Sequence, residues 1–447
     1  MDRYYQQGMS TLLITSMLLV VALIFSLASY KNLFYQIKRT QNEVLARQAH
    51  WAAEGGLECA YTELKQKNIK PTELTFSHTC SDLAPSSLLS INSLPATGDH
   101  TEYKLISLYN NNGSKEEVRK TIEYGGDGVL STIETSASVE LTGSQHFVPN
   151  KTDDKAADGK YKCKSVVSGG TVNYVASVSG TDEHFFTLDS TTNSHGGGGL
   201  GAPTFQCNSS YLSNLFDPAK PPSAFSISPV KGGDILENET VDVFNSLFNK
   251  DISEYVSVRE EIKNDAVGIV IGINASDKTS GGWVKNCHTK VDNAYKNGKR
   301  RIWIDGNCAL TGSIFGTSIE ANNNDAVQLI VFNGVLLTKT VSYFNGILYQ
   351  YVNTTLNVQT AWENLFDETT EIGVLPGGFH KHDIVTLGYN NMPFVAEGSV
   401  YIDGGVGIDA IDRTIRINGS IIPSYNKGKV NKHNTQLKWQ QGSWHDF

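Results

Sequence analysis

The most restrictive feature of this sequence is a long uncharged segment near its start. No residue from Tyr4 to Tyr30 carries a side-chain charge, and the 22 residues Met9–Tyr30 are mostly apolar. As an α-helix this stretch is about 33 Å long, which is enough to cross the hydrocarbon core of a bilayer. No proline precedes Pro71, so nothing forces the helix to stop at the membrane edge. The sequence predicts one membrane-spanning helix that continues to about Lys67.

The second half of this helix has a different pattern. Ile37, Val44 and Trp51 recur every seven residues, which places them on one side of a helix. These three residues are termed the stem stripe. Apolar residues lie beside it and charged residues lie away from it: Leu33, Phe34, Leu45 and Ala52, and Lys38, Arg39, Glu43 and Arg47, respectively. The pattern predicts that this half of the helix packs on protein rather than on lipid.

Two simpler interpretations of the N-terminus stay open. Ser26-Leu27-Ala28 fits the small-x-small site of a cleaved signal peptide, with Arg3 as a thin basic region. Against this, the apolar segment is longer than the core of a signal peptide, and the helical pattern continues beyond it. The other interpretation is an unprocessed single-span anchor, which the length and composition also allow.

Two short motifs on the helix carry a family resemblance. Gln6-Gln7-Gly8, followed by Met9-Ser10-Thr11-Leu12-Leu13, resembles a prepilin peptidase site with cleavage between Gly8 and Met9. Arg47–Gly56, which reads RQAHWAAEGG, resembles the AAE-G stretch of PilX-like minor pilins. The resemblance extends over about the first 60 residues. It implies a leader peptide of residues 1–8 and a pilin stem helix of residues 9–67, of which residues 9–30 span the membrane.

Leu13 departs from the pattern of major pilins. They carry a glutamate at the fifth mature position, thought to neutralise the free amine of the subunit above, and Leu13 occupies that position here. A carboxylate in lipid persists only where it has a partner. PilX-like minor pilins and the large minor pseudopilin of type II secretion often lack it, which implies a subunit at the filament tip. A simple membrane anchor explains Leu13 equally well.

The resemblance also implies a location, partners and a function. One span would hold the chain in the bacterial inner membrane, with its C-terminal region in the periplasm, before it moves to the pilus tip at the cell surface. The implied partners are the prepilin peptidase, other minor and major pilins and the inner-membrane assembly platform, with a tip adhesin or surface glycan as a further partner. Leu13 and the stem stripe would pack on neighbouring helices, with the large β-domain outside. The implied function is to support initiation of pilus assembly or tip-mediated adhesion.

All six cysteines follow the apolar segment. They contain no Cys-x-x-Cys spacing, which argues against zinc and thioredoxin-like sites and favours disulfides in an oxidising compartment. Six cysteines allow fifteen pairings. We expect the sequential pairs, which are Cys59 with Cys80, Cys163 with Cys207, and Cys287 with Cys308.

After Pro71 the apolar pattern changes to a period of two. Tyr103–Tyr109 and Ser131–Leu141 alternate as strands do, and Val241–Phe248 and Ser253–Lys263 have the spacing of short helices. The predicted fold class is α+β: the long helix, then a large β-rich region. Pro218–Ser223 is the best candidate for a boundary, which divides this region into residues 71–222 and residues 223–447.

Pairs of Asp or Asn with Gly follow strand-like runs in the C-terminal part. Such pairs supply turn positions with positive φ, and we expect them to end the strands. Their irregular spacing fits either an irregular β-helix or stacked hairpins. The pairs are Asp305-Gly306, Asn333-Gly334, Asn345-Gly346, Asp403-Gly404 and Asn418-Gly419.

A single glycine-rich stretch suggests a metal site. Residues 404–412, GGVGIDAID, match one copy of the nonapeptide that binds calcium in parallel β-rolls. Asp403, Asp409 and Asp412 would supply oxygen ligands, which calcium prefers. One copy is not a complete site, because the ligands come from adjacent turns. Apart from this calcium, no cofactor is expected.

The charge distribution argues against a nucleic acid partner. The net charge is −9, so the whole molecule does not attract polyanions. The one basic run, Lys296–Arg301, is typical of a solvated strand edge. His380 and His382 are expected in a surface loop, since alternate residues of a strand would face opposite ways and could not share a metal.

The sequence contains no GxSxG, HExxH or nucleotide-binding loop. We therefore expect a protein that works through its surfaces rather than an enzyme. The alternative is a membrane-anchored or secreted β-helical protein that binds or degrades glycans. Degradation would need paired carboxylates, and nothing in the sequence selects a pair among its 46 acidic residues.

Overall fold

The computed structural model describes most of the chain. It covers residues 5–67, 71, 87–93, 101–111, 114–124, 131–176, 183–190, 204–222, 228–248, 250–279, 281–311, 325–339, 343–367, 388, 391–430, 433, 437–440 and 445–446.

These residues form the following helices and strands. The helices are α1 (Tyr5–Lys67), α2 (Val243–Phe248), α3 (Tyr255–Asn264), α4 (Cys287–Lys296), α5 (Val358–Asp367) and α6 (Lys427–Val430). The strands are β1 (Ser87–Ser93), β2 (Thr101–Asn111), β3 (Ser114–Tyr124), β4 (Ile133–Thr135), β5 (Ser138–Thr142), β6 (Gln145–Phe147), β7 (Asn150–Lys155), β8 (Tyr161–Lys164), β9 (Val166–Ser168), β10 (Val172–Tyr174), β11 (Phe185–Thr187), β12 (Asn214–Leu215), β13 (Ile235–Leu236), β14 (Gly268–Ile271), β15 (Arg301–Asp305), β16 (Cys308–Thr311), β17 (Val327–Phe332), β18 (Leu336–Lys339), β19 (Phe344–Tyr351), β20 (Phe394–Glu397), β21 (Val400–Asp409), β22 (Thr414–Asn418), β23 (Ile421–Tyr425), β24 (Leu437–Trp439) and β25 (His445–Asp446).

The chain divides into two compact units, and the fold class is α+β as predicted. The first unit contains α1, β1 to β3, β24 and β25, and the second contains the elements between β3 and β24. The second unit is thus inserted into the sequence of the first. The boundary expected at Pro218–Ser223 falls inside the second unit, because strands from both sides of it pair there.

In the first unit, α1 packs on an antiparallel sheet in the order β1-β2-β3-β24, and β25 also pairs with β3. The predicted strand Tyr103–Tyr109 is part of β2. One face of the C-terminal half of α1 is buried against the sheet, with residues three or four apart as a helix face requires. That face consists of Ala53, Leu57, Ala60 and Leu64, and it contacts Tyr103, Leu105, Val118, Ile122 and Leu437.

The second unit is a parallel β-helix. Consecutive strands from β15 to β23 alternate between two sheets, and within each sheet the neighbours are parallel. The stacked-hairpin alternative is therefore wrong for this part of the chain. The interior is filled by aliphatic and aromatic side chains that stack from layer to layer, such as Leu329, Leu348 and Val406.

The layers of the β-helix do not follow the order of the sequence. The chain enters with β4, β5 and β6, and these strands stack on β21, β22 and β23 from the end of the unit. It then builds outward through β9 and β10 to β13. Helices α2 and α3 precede β14, the strand at the other end of this stack, from which the chain builds back to β23. One stack of layers therefore joins two halves of the sequence.

One of the predicted local features differs in the structure, and another is close to it. The strand expected over Ser131–Leu141 is two strands, β4 and β5, because a corner at Ser136 separates them. There the Ser136 backbone N–H donates to the carbonyl of Ile408, and its hydroxyl accepts from the N–H of Ala410. The short helices are close to prediction, as α2 and α3 with a 3-10 turn at Ile252–Glu254.

The Asp/Asn-Gly pairs have two roles rather than one. Those at residues 305, 333 and 418 lie at the ends of β15, β17 and β22, as expected. The pairs at 345 and 403 lie inside β19 and β21. A Cβ on Gly346 would lie 1.9 Å from the carbonyl oxygen of Val327, and one on Gly404 would lie 2.0 Å from that of Gly346. Glycine is required there because successive layers approach too closely for a side chain.

Candidate functional site

The stem stripe is exposed on the molecule. Ile37 and Val44 are each 48% exposed and Trp51 is 68% exposed. At 3.6 residues per turn the stripe is centred about 180° around the axis from the face that the sheet buries. The C-terminal half of α1 thus has two apolar faces. Its own unit covers one, and the other is free among the described residues.

The N-terminal half of α1 is also exposed. Its most apolar part has a mean hydropathy of 2.5 over 18 residues, so this helix is long and apolar enough to cross a membrane. Leu13 is 64% exposed on it. Gly8 and Met9 both lie within α1. The helix is continuous through the predicted processing site and the predicted span.

The polar contacts of α1 lie mostly in its second half. Arg47 pairs with Glu43 at 2.8 Å along the helix. Nearer the sheet, the ammonium of Lys120 lies 3.2 Å from Glu58 and 3.8 Å from the ring centroid of Trp439. The same ring stacks on Tyr61 at 4.4 Å. The C-terminal strand β24 is therefore held on α1 by aromatic and charged contacts.

Two of the expected disulfides are present, both in the second unit. Cys163 is bonded to Cys207 and Cys287 to Cys308. Cys287 starts α4 and Cys308 starts β16, so the second bond fixes a helix to the β-helix. Cys59 is also disulfide-bonded. Cys80 lies outside the described residues, so its pairing with Cys59 stays a prediction.

The three candidate calcium ligands do not form one cluster. The Asp403 carboxylate accepts from the buried ammonium of Lys429 at 2.6 Å. The Asp409 carboxylate accepts from the N–H groups of Val243 and Phe244 and from the Tyr349 hydroxyl at 2.9 Å. Asp412 is exposed at a turn with φ 59°. Among the described residues no group of three His, Cys, Asp or Glu can hold a metal. Calcium binding itself stays a prediction.

The Asp409 site is a structural junction. Its carboxylate, on β21, receives the first N–H groups of α2 and a hydroxyl from β19, which fixes the helix to two layers of the β-helix. Burial raises the pKa of Asp409 to about 6, although the hydrogen bonds from Tyr349, Phe244 and Val243 act in the opposite direction. The sequence gives no signal for this contact, because its members are more than 50 residues apart.

Residues of the basic run Lys296–Arg301 make contacts within the second unit. Arg301 is buried and lies 2.9 Å from Asp265. The guanidinium of Arg300 lies 4.1 Å from the ring centroid of Tyr295, and the ammonium of Lys299 donates to the carbonyl of Ala266. The expectation of a free strand edge is wrong, because β15 pairs with both β14 and β17. His380 and His382 lie outside the described residues.

A surface groove that the sequence did not reveal lies where β15 turns into β16 and β17 into β18. It consists of two hollows of about 380 Å³ and 320 Å³, which share Lys278, Gly306 and Asn333. It is termed the Lys278 groove. The sequence marked its Asp305-Gly306 and Asn333-Gly334 pairs only as turns.

Close packing of backbone forms the groove. Gly306 has φ 114°, and a Cβ there would lie 2.8 Å from the carbonyl oxygen of Gly282. A Cβ on Gly334 would lie 2.1 Å from the carbonyl oxygen of Gly306. Three successive turns therefore stack without side chains between them. This leaves a concave surface flanked by larger residues.

The two ends of the Lys278 groove differ in chemistry. At one end Tyr255 stacks on Phe332 at 4.4 Å, beside the ion pair of Arg259 with Asp305. At the other end α5 and the residues before it contribute Asn357, Thr360 and Asn364. Lys278 lies between them and is half-buried, and its ammonium makes no ion pair or hydrogen bond within the described residues.

The fold and these surfaces define an α+β protein with one helix able to span a membrane, an antiparallel sheet on that helix and an inserted parallel β-helix. No protein-family model matches the chain, and no curated protein matches it. Among solved structures it is similar to the competence-associated pilin ComZ from Thermus thermophilus, with 10% identity and a TM-score of 0.23. That match covers 90% of this chain and 97% of the ComZ chain. At this TM-score the likeness carries no inference.

Proposed function

We propose that this chain is a PilX-like minor pilin that acts at or near the tip of a type IV pilus. The observation that carries the proposal is the arrangement of α1. Its N-terminal half is long and apolar enough to span a membrane, and its C-terminal half has an exposed apolar stripe opposite the face covered by its own sheet. A membrane anchor needs only the first of these features. A helix that leaves the membrane to pack among other stems needs both.

The driving term for that packing is burial of apolar surface, at about 25 cal/mol per Å². The resemblance of Gln6–Leu13 to a prepilin peptidase site supplies the processing step, with cleavage between Gly8 and Met9 in the inner membrane. The other partners are minor and major pilins and the assembly platform.

Two features support a place at the tip rather than along the filament. Leu13 stands where major pilins carry the glutamate that pairs with the free amine of the subunit above, so this chain lacks that contact. The part of the chain after residue 70 is also large, since most of residues 125–436 form one β-helix-containing unit. A unit of that size is too bulky to repeat along a pilus. In this proposal the chain acts through surfaces, and no reaction is assigned to it.

The test is incorporation of stem-stripe variants. Ile37→Asp and Trp51→Asp each place a charge on the exposed stripe, and we expect them to be absent from sheared pili while mature protein accumulates in membranes. Asn42→Asp adds the same charge about 140° around the helix from Ile37 and is the matched control. Normal incorporation of both stripe variants would contradict the proposal.

Deletion of the gene separates the two roles at the tip. An assembly role predicts few or no pili without this protein. An adhesion role predicts normal numbers of pili that attach poorly. The Lys278 groove is the specific feature that favours a binding role beside assembly.

A further inference from the structure

From the Lys278 groove we infer a binding site for an acidic oligosaccharide, a polar sugar chain with a carboxylate seated at Lys278. The shape is the first reason. Two adjoining open hollows form a track rather than an enclosed pocket, and such a surface fits an extended ligand. Gly282 and Gly306 line the track, and their backbone stacks closely with that of Gly334, so the track is built into the β-helix.

The polar groups of the groove match sugar hydroxyls. Asn333, Asn357 and Asn364 carry amides, which both donate and accept hydrogen bonds, and Thr360 adds a hydroxyl. Within the described part of the chain, the side chains of Thr360 and Asn364 make no hydrogen bond to protein. The side chains of these two residues can therefore form hydrogen bonds with a ligand. At the other end, the half-buried ring of Tyr255 offers an apolar surface on which the C–H groups of a sugar ring can lie.

The charges of the groove favour one carboxylate rather than a phosphate chain. The Arg259 guanidinium is already paired with Asp305, whereas Lys278 is unpaired within the described residues. The groove thus offers one uncompensated positive charge. A nucleic acid needs several cations to offset its closely spaced phosphates, and the net charge of −9 opposes such a polymer. A sugar chain with one carboxylate among neutral sugars matches this single charge.

This inference adds a ligand class to the proposed adhesion role. It depends on the proposed function only for the location of the groove at a pilus tip. The test is binding of the purified full chain in detergent to an array of immobilised oligosaccharides. The array contains matched pairs, uronate-containing or sialylated glycans with their neutral counterparts, and single-stranded oligothymidylate. We expect retention of acidic glycans in preference to their neutral counterparts.

Variants of the groove complete the test. Lys278→Gln removes a charge-assisted hydrogen bond, and we expect it to lower affinity for the acidic glycans roughly tenfold. Asn364→Ala should weaken binding to acidic and neutral members alike. Lys263→Gln, which removes an exposed lysine of α3 outside the groove, should bind as wild type does.

Several outcomes would overturn the inference. These are equal binding by wild type and Lys278→Gln, no preference for acidic over neutral glycans, retention of oligothymidylate instead of sugars, or no glycan bound by wild type. Pilus incorporation of Lys278→Gln is measured in parallel. Normal incorporation with lost glycan binding separates this site from the assembly function, whereas failed incorporation of wild type would concern the proposed function alone.

Discussion

At the residue scale, single buried polar groups determine how the helices attach to the β-helix. Asp409 is the clearest case, since its carboxylate receives two N–H groups from α2 and a hydroxyl from Tyr349. A buried carboxylate also joins strands and loops of the second unit, since Asp234 accepts from the hydroxyls of Ser165, Thr187 and Ser213. Burial raises the pKa of Asp234, against the effect of these hydrogen bonds. Buried carboxylates of this kind link stability to pH.

Asp409 gives a prediction for pH dependence. Its pKa rises from 3.8 to about 6 on folding, so the folded state binds more protons than the unfolded state between these values. The stabilisation that the protonated Asp409 side chain gives to the folded state is fully present below pH 3.8 and is lost as pH rises through 6. The difference in unfolding free energy between wild type and Asp409→Asn should change by about 3 kcal/mol across this window. Chemical denaturation at pH 4, 5, 6 and 7 measures it, and a constant difference would contradict the assignment.

The first residue of the mature protein gives a second prediction. If the prepilin peptidase acts as proposed, N-terminal sequencing of protein recovered from native membranes starts at Met9. A start at Ser29 would indicate a signal peptide, and a start at Met1 a fixed anchor. Gly8→Trp should block processing, because a large side chain replaces the glycine at the cleavage site. Ser10→Ala, inside the mature chain, is the control and should be processed normally.

At the element scale, α1 has two apolar faces with separate tasks. The face containing Leu57 belongs to the core of the first unit, while the stem stripe lies outside that core. Hydrophobic spacing alone found the stripe but did not find the face that the sheet covers. That face is built largely from alanines, Ala49, Ala53 and Ala60, whose small side chains let the helix approach the sheet.

This division predicts that truncation of a side chain lowers the unfolding free energy much more on the buried face of α1 than on the stem stripe. Leu57→Ala leaves a cavity against the sheet and should lower the unfolding free energy of the first unit by about 2–5 kcal/mol. Ile37→Ala removes a side chain that is 48% exposed and should change it by less than about 0.5 kcal/mol. Thermal denaturation of the two variants in detergent checks this. Equal destabilisation would mean that the stripe is also used within the single chain.

At the scale of the whole molecule, both ends of the chain build the first unit. β24 pairs with β3, and the hydroxyl of Tyr61 donates to the carbonyl of Leu437 at 2.8 Å. The second unit is inserted between them, and its first layer stacks on its last. In each unit, contacts between distant parts of the sequence complete the structure, so neither unit is finished until most of the chain is present.

Truncation tests this dependence. A chain that ends at residue 436 lacks β24 and the Trp439 ring that stacks on Tyr61. We expect the first unit to become sensitive to protease in this variant, while the second unit keeps its resistance. Trp439→Ala removes the stacking and the cation contact but keeps the strand, so it should be intermediate. Resistance of the truncated first unit equal to that of wild type would show that β24 is dispensable.

Local features of this protein can be read from its amino-acid sequence. The uncharged segment, the heptad spacing of the stem stripe and the short helices could all be read from residues close together or from simple spacing. These follow from periodicity, which a chain carries at every point.

Contacts between distant segments, by contrast, are visible only in the folded chain. Parallel pairing of β21 with β4 joins residues more than 250 positions apart in the sequence. The sequence of either strand does not indicate which strand it pairs with. The Lys278 groove, the Asp409 junction and the pairing of β24 with β3 arise in the same way. The physical reason is that stacking in a parallel β-helix depends on shape and burial between layers, and many apolar strands satisfy that condition equally until the whole chain selects one arrangement.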